Sequence, residues 1–169
     1  MAIELNDLLA ANKRFAAEFG EGALPMPPAK HLAIVTCMDA RVEPLRFLGL
    51  GLGDAHVIRN AGGRATEDAI RSLVISQRLL GTEAILVIHH ADCGMLTFSD
   101  EQLRARVRDE LGSAAGTVAA QTEFLPFSDL AESVRADVAA LAASPLIPND
   151  IPVYGFIYDV HTGLLQPVE

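Results

Sequence analysis

The sequence predicts an α/β fold: a mainly parallel β-sheet flanked by helices, with an antiparallel edge strand at one side. Three observations carry this. Leu32–Cys37 (LAIVTC), Ala55–Arg59 (AHVIR) and Ala84–Ile88 (AILVI) are apolar runs of strand length without polar alternation, as strands buried on both faces require. Stretches of helical periodicity separate them, which leaves room for right-handed crossovers between parallel strands. Of the 169 residues, 50% are hydrophobic and only 5% aromatic, so the core must be aliphatic.

In chain order, Leu5, Leu8, Leu9, Phe15, Ala16 and Phe19 recur at helical spacing, with Gly20 as the expected stop. This stripe must be buried somewhere, on its own domain or across a second subunit. Residues 21–30 contain three prolines and read as a connector. After the Leu32–Cys37 strand comes a polar turn, then a short helical piece around Pro44–Leu48. Gly49, Gly51 and Gly53 precede a strand and not a helix, so they read as a turn instead of a dinucleotide loop.

The Ala55–Arg59 strand runs into Asn60–Gly63, whose two glycines allow close backbone approach. Thr66 caps the next helix, with Glu67 and Asp68 in its first turn, where the dipole favours acids. Ile70, Leu73, Val74, Gln77 and Leu80 form its face, and Gly81 ends it. The Ala84–Ile88 strand then delivers His89–Cys93. Ser99 and Gln102 make a capping box for a helix to about Leu111. Residues 112–126 are small, polar and aperiodic, which predicts an irregular excursion. Ser128 or Asp129 starts a helix to Ala143, with Leu130, Val134, Val138 and Leu141 as its stripe. Val153–Val160 is the fourth strand and Leu164–Val168 the edge strand. The expected organisation is one domain over 1–169: an N-terminal helix and Pro-rich connector in 1–30, and the α/β core in 31–169.

Charge narrows the function classes. Against 13 Lys and Arg stand 22 Asp and Glu, a net −9 that disfavours nucleic acid and anionic membranes as partners. No segment reads as an export signal or a membrane span, so a cytoplasmic protein is expected. In that reducing compartment the two cysteines are better suited to metal or reactive chemistry than to cross-linking.

Both cysteines follow predicted strands. Cys37 opens a polar turn with Asp39 and Arg41; His90 and Cys93 follow the third strand with two residues between them. Parallel strands gather ligands at their carboxyl ends, so the two turns share one rim. Thiolate and imidazole suit zinc, with room for a fourth ligand. His90-x-x-Cys93 is short enough to wrap one ion that Cys37 closes from the neighbouring strand. A disulfide, a redox pair or inert buried cysteines are the alternatives. His89 points the other way if strand alternation persists, and reads as structural support.

Cys37-Met38-Asp39-Ala40-Arg41 resembles the C-x-D-x-R motif of the β-class carbonic anhydrases, and His90-Ala91-Asp92-Cys93-Gly94 resembles their H-x-x-C-G motif. The VIRNAGG stretch, 57–63, is similar too, and the likeness spans about Leu32–Thr97. The resemblance implies Zn2+ on Cys37, His90 and Cys93, with water or hydroxide as the fourth ligand. Asp39 and Arg41 would be the catalytic dyad, and Gly94 would offer its backbone N–H to substrate. It implies reversible hydration of carbon dioxide to bicarbonate and a proton, by a zinc-bound hydroxide that Asp39 and Arg41 orient. It also implies a homodimer or a dimer of dimers, with the N-terminal helix reaching onto its neighbour. Hydrolysis of carbonyl sulfide or carbon disulfide is the alternative on the same scaffold, and a non-catalytic zinc protein the lower one.

Other residues near the motifs carry weaker expectations. Arg59 and Arg64 flank the diglycine and would attract bicarbonate, or else serve as interface or surface charges. Asp92 reads as an acceptor supporting the ligands. The chain departs from the family in having no glutamine in 25–30 and no tryptophan at all.

Overall fold

A computed structural model gives the fold and describes residues 4–169, so residues 1–3 of the predicted N-terminal segment lie outside it. The elements run α1 (Leu5–Glu18), β1 (Leu32–Cys37), α2 (Pro44–Phe47), β2 (Ala55–Asn60), α3 (Glu67–Leu80), β3 (Ala84–His90), α4 (Asp100–Leu111), α5 (Ser113–Ala119), α6 (Leu130–Ala143), β4 (Val153–Tyr158) and β5 (Leu165–Val168). The sheet order is β2-β1-β3-β4-β5. Every pair is parallel except β4 with β5, which is antiparallel. The predicted α/β class with its antiparallel edge is what the molecule adopts.

That strand order places the chemistry. The chain leaves β1 toward β2 on one side and returns through β3 on the other, so the order reverses between β1 and β3. A crevice opens at such a reversal, outside the carboxyl ends of the two strands. Cys37 and His90 are the last residues of β1 and β3.

The core is aliphatic. Ala33 and Val35 of β1 and Ile85 and Val87 of β3 pack with Leu73 of α3 and Leu141 of α6, all fully buried. Each of the larger side chains, Ala33 apart, contributes about 1.5–3 kcal/mol on burial. Helix α6 lies close on β4 because Gly155 has no side chain: a Cβ there would stand 2.6 Å from Val134 Cγ1. At the sheet's centre, Thr36 satisfies its buried hydroxyl by donating to Ile88 O at 2.8 Å.

The helix ends follow the sequence signals. Thr66 accepts from Ala69 N, and Gly81 takes the left-handed C-cap of α3 at φ 71°. The capping box of Ser99 and Gln102 is complete, and Asp129, not Ser128, caps α6.

Three boundaries differ from expectation by more than one residue. Residues 113–119 form α5 where an irregular stretch was predicted. SAAGTVA has no apolar period, and its helix forms because its small side chains let it close on α4; a Cβ on Gly116 would stand 2.8 Å from Arg108 Cγ. Strand β4 stops at Tyr158 because the Asp159 carboxylate accepts from His161 N and Thr162 Oγ1, both at 2.8 Å, and forces a turn. Strand β3 runs two residues longer than predicted, pairing His90 with Tyr158.

Candidate metal centre

The centre is built by two turns that leave adjacent strands. Cys37 ends β1, and its turn is held by Arg59 of β2. That guanidinium donates to Cys37 O (3.1 Å), to Asp39 O (2.7 Å) and to Glu43 Oε1 (3.0 Å). On β3, the chain turns back through Asp92 in the left-handed region, φ 54°. Ala91 N is tied to Tyr158 O at 2.9 Å. This reversal brings Cys93 beside His90.

Cys37, His90 and Cys93 are all buried, and one ligand atom from each lies within 4.8 Å of the others. Among the described residues this is the one such group. Both cysteines are free thiols. His90 Nδ1 is engaged with Ala91 O at 2.8 Å, which leaves Nε2 as the open lone pair. That Nε2 is buried and has no hydrogen-bond partner. A buried imidazole nitrogen without a partner is costly unless a metal takes it. Zinc–ligand lengths of about 2.0–2.3 Å fit donors at this mutual separation. The residues present therefore fit zinc.

The two sulfurs hold their protons unequally. Cys37 is pulled down to about 4, first by the thiol of Cys93, then by His90 and the N–H groups of Asp39 and Gly62, against its burial. Cys93 is pushed up because it keeps the shared proton and is buried. His90 is raised: burial opposes the charge, but the neighbouring Cys37 sulfur outweighs it.

Asp39 and Arg41 form a fork. Arg41 Nε and its own backbone N–H donate to Asp39 Oδ1 (3.0 and 2.8 Å), and Nη2 donates to Oδ2 (2.8 Å). The guanidinium side chain and the Arg41 N–H hold Asp39 well below the usual carboxylate range. Asp39 Oδ2 stands 3.8 Å from His90 Nε2, at the edge of the position a fourth ligand would take. The sequence alone did not show that Arg41 also reaches the second turn, through Nη1 to Asp92 Oδ2 (2.7 Å) and Nη2 to Asp92 O (3.0 Å).

A cleft of about 170 Å³ opens at these residues, lined by Met38, Asp39, Ala61, Gly62, Gly94 and Met95 among others. Gly63 permits the close approach of its loop. It takes φ 71°, and a Cβ there would stand 2.9 Å from Cys37 N and from Thr36 C.

One of the readings left open for Arg59 and Arg64 needs correction: both are engaged within the chain and are not held free to attract bicarbonate. Arg59 is spent on the Cys37 turn, and Arg64 donates to Asp137 Oδ2 (2.7 Å) and Leu125 O (2.8 Å). His89 does point away from the ligands, toward Gly63 O (3.2 Å) and Asp137 Oδ2 (3.1 Å).

The sheet, its switch-point crevice and the Cys-His-Cys group define a metal-binding α/β protein. The family model described as carbonic anhydrase matches residues 32–165. Beta-carbonic anhydrase 1 of Mycobacterium tuberculosis is 47% identical over 163 residues, 96% of each chain. The carbonic anhydrase structure from Streptococcus mutans superposes with a TM-score of 0.92 at 47% identity, covering 100% of both chains. A carbon disulfide hydrolase of Acidianus sp. (strain A1-3) is more distant, 34% identical over 83% of this chain and 78% of its own. The chain belongs to the β-carbonic anhydrase family.

Proposed function

We propose that the protein catalyses the reversible hydration of carbon dioxide to bicarbonate and a proton, with zinc held by Cys37, His90 and Cys93. The observation that carries this reading is the buried trio with its orphaned His90 Nε2 at the edge of a largely apolar cleft. Zinc, when bound, supplies the Lewis acidity that makes water a nucleophile near neutral pH.

The chain's own residues do the rest. Asp39, ionised under the grip of Arg41, would accept a hydrogen bond from the attacking water at Oδ2 and so aim the oxygen lone pair into the cleft. Arg41 turns that carboxylate away from the metal and keeps it from becoming the fourth ligand itself. Arg59 fixes the backbone from Cys37 to Asp39, so the ligand and the acceptor move as one unit. Met38, Ala61 and Met95 offer an apolar seat for a linear, apolar substrate. Gly94, with no side chain in the way, presents its N–H to the product oxygens.

A second reading is hydrolysis of carbonyl sulfide or carbon disulfide. The two thioethers of the cleft, Met38 and Met95, are soft surfaces suited to sulfur, and the Acidianus relative bears the name of such an enzyme. Assays of carbon dioxide, carbonyl sulfide and carbon disulfide on one zinc-quantified preparation separate the two. Carbon dioxide hydration that exceeds both hydrolyses supports the first reading; the reverse order supports the second.

The working form is a homodimer, or a pair of dimers, in which α1 covers a neighbour. None of its residues is buried on its own chain, and Leu5, Leu8, Leu9, Phe15 and Phe19 are 43–66% exposed. We read 1–169 as one domain, with 1–30 as the arm and 31–169 as the metal-binding core. No helix among the described residues is long and apolar enough to cross a membrane. Two free cysteines serving as ligands suit a cytoplasmic location.

A further inference from the structure

Behind the metal centre lies a buried carboxylate that the proposed reaction does not use. Asp137 sits in the middle of α6, 4% exposed. One oxygen, Oδ2, receives two donors: Arg64 Nε at 2.7 Å and His89 Nε2 at 3.1 Å. Each of those side chains continues to a different wall of the cleft.

The same His89 Nε2 also faces Gly63 O at 3.2 Å, so one N–H is shared between the carboxylate and that carbonyl, and Asp137 sets how the ring meets the Gly63 loop. Gly63 abuts the backbone of Thr36 and Cys37, and its neighbour Gly62 lines the cleft. Through Arg64 the path reaches Leu125 O at 2.8 Å, on a residue whose φ of 59° a leucine adopts only when held. Arg64 also lies over the Phe127 ring, 5.7 Å from its centroid, and His89 stacks on the same ring at 5.5 Å. Phe127 N donates to Met95 O at 3.2 Å, and Phe127 packs against the cluster formed by Cys37, Cys93 and Met95. Phe127 therefore backs the Met95 wall as Gly63 backs the Gly62 wall.

We propose that Asp137 is a positioning residue for the substrate cleft, holding the Gly62 wall through His89 and the Met95 wall through Arg64. A carboxylate is needed here because one acceptor must serve two donors in a dry interior, and an anionic oxygen binds both more strongly than a neutral amide does. The proposal rests on the carbonic anhydrase reading only in its kinetic readout.

The test is amide hydrogen exchange on the zinc-loaded protein and on Asp137→Asn and Arg64→Lys, with zinc per chain and carbon dioxide kinetics measured on each. Asp137→Asn should speed exchange about tenfold in both 60–66 and 122–128, with β1, β3 and zinc content unchanged. Arg64→Lys keeps the charge but loses the rigid fork that reaches Asp137 through Nε and Leu125 O through Nη1, so it should loosen 122–128 alone. In Asp137→Asn the KM for carbon dioxide should rise about fivefold with kcat nearly unchanged, the signature of lost binding shape. Unchanged exchange in both segments overturns the proposal. So does faster exchange throughout β1 and β3 with zinc loss, which would make Asp137 a support of the fold as a whole. A KM that stays fixed while both segments loosen overturns it as well. If the unsubstituted protein shows no hydration, the functional reading fails by itself, and the exchange pattern still decides whether Asp137 holds the two walls.

Discussion

Arg41 is the residue on which the metal centre turns. It grips Asp39 on the Cys37 turn and Asp92 on the His90–Cys93 turn, so one guanidinium ties together the two pieces of chain that carry the proposed ligands. Hydrogen bonds from its side chain and backbone hold Asp39 below the usual carboxylate range, with burial opposing. Since the folded value is depressed, the pairing is complete above the ordinary carboxylate value of about 4 and is lost only as pH falls through the lower one. Asp39 is thus an anion wherever the enzyme would work. Asp39→Ala and Arg41→Ala should each keep one zinc per chain and lose turnover by roughly 100-fold, the scale of a lost acid–base group. Near-full activity in either variant, by stopped-flow hydration, would remove the dyad from the mechanism. The sulfurs make a second prediction. The two buried sulfurs share a proton, which lowers Cys37 and raises Cys93, so binding both as thiolates releases that proton. Apparent zinc affinity should therefore fall as pH falls, by about tenfold per unit for one proton, and more steeply where His90 is also charged. Competition against a chromophoric chelator across pH reads that slope.

The elements show why some positions admit only one residue. Strand β1 delivers Cys37 against a loop that Gly63 brings within a Cβ's reach of its backbone, and α6 rests on β4 only because residue 155 is glycine. Gly155→Ala should force α6 outward and lower stability by about 1–3 kcal/mol, the usual overpacking range, without changing zinc content. Thermal unfolding of the zinc-loaded protein measures it. A rise in melting temperature would show that α6 yields more easily than its contact with Val134 implies. Helix ends and strands were legible because their signals are local: Thr66, Gly81, Ser99 and Gln102 do what their residue types do anywhere. Helix α5 was not, since SAAGTVA draws its order from contact with α4 and shows no periodicity of its own. Asp137 left a signal that was readable and passed over. It falls three residues after Val134 and four before Leu141, a carboxylate on the apolar stripe of α6, and its partners Arg64 and His89 are remote in sequence.

At the scale of the molecule, the ligand trio could be placed on one rim from sequence because two apolar strands each ended in candidate ligands, and parallel strands share an end. The cross-links of the site could not be placed, since Arg41 to Asp92 and Arg59 to Cys37 O depend on which turns meet. On the proposed dimer, the unburied α1 stripe likewise depends on a second chain. Burying five such side chains contributes about 1.5–3 kcal/mol each, enough to hold an arm on a neighbour. Leu9→Glu with Phe15→Glu should shift the protein toward monomer in light scattering; an unchanged mass would place the interface elsewhere. The central claim, that Cys37, His90 and Cys93 hold the zinc at which carbon dioxide is hydrated, is met most directly by stopped-flow hydration rate against zinc content. The account predicts a rate that climbs linearly to one zinc per chain, rises with pH from about 6.5 to 9 as water is activated, and stays at background in Cys93→Ala. Protein carrying one zinc per chain at this site, yet showing no hydration at any pH in that range, would contradict it.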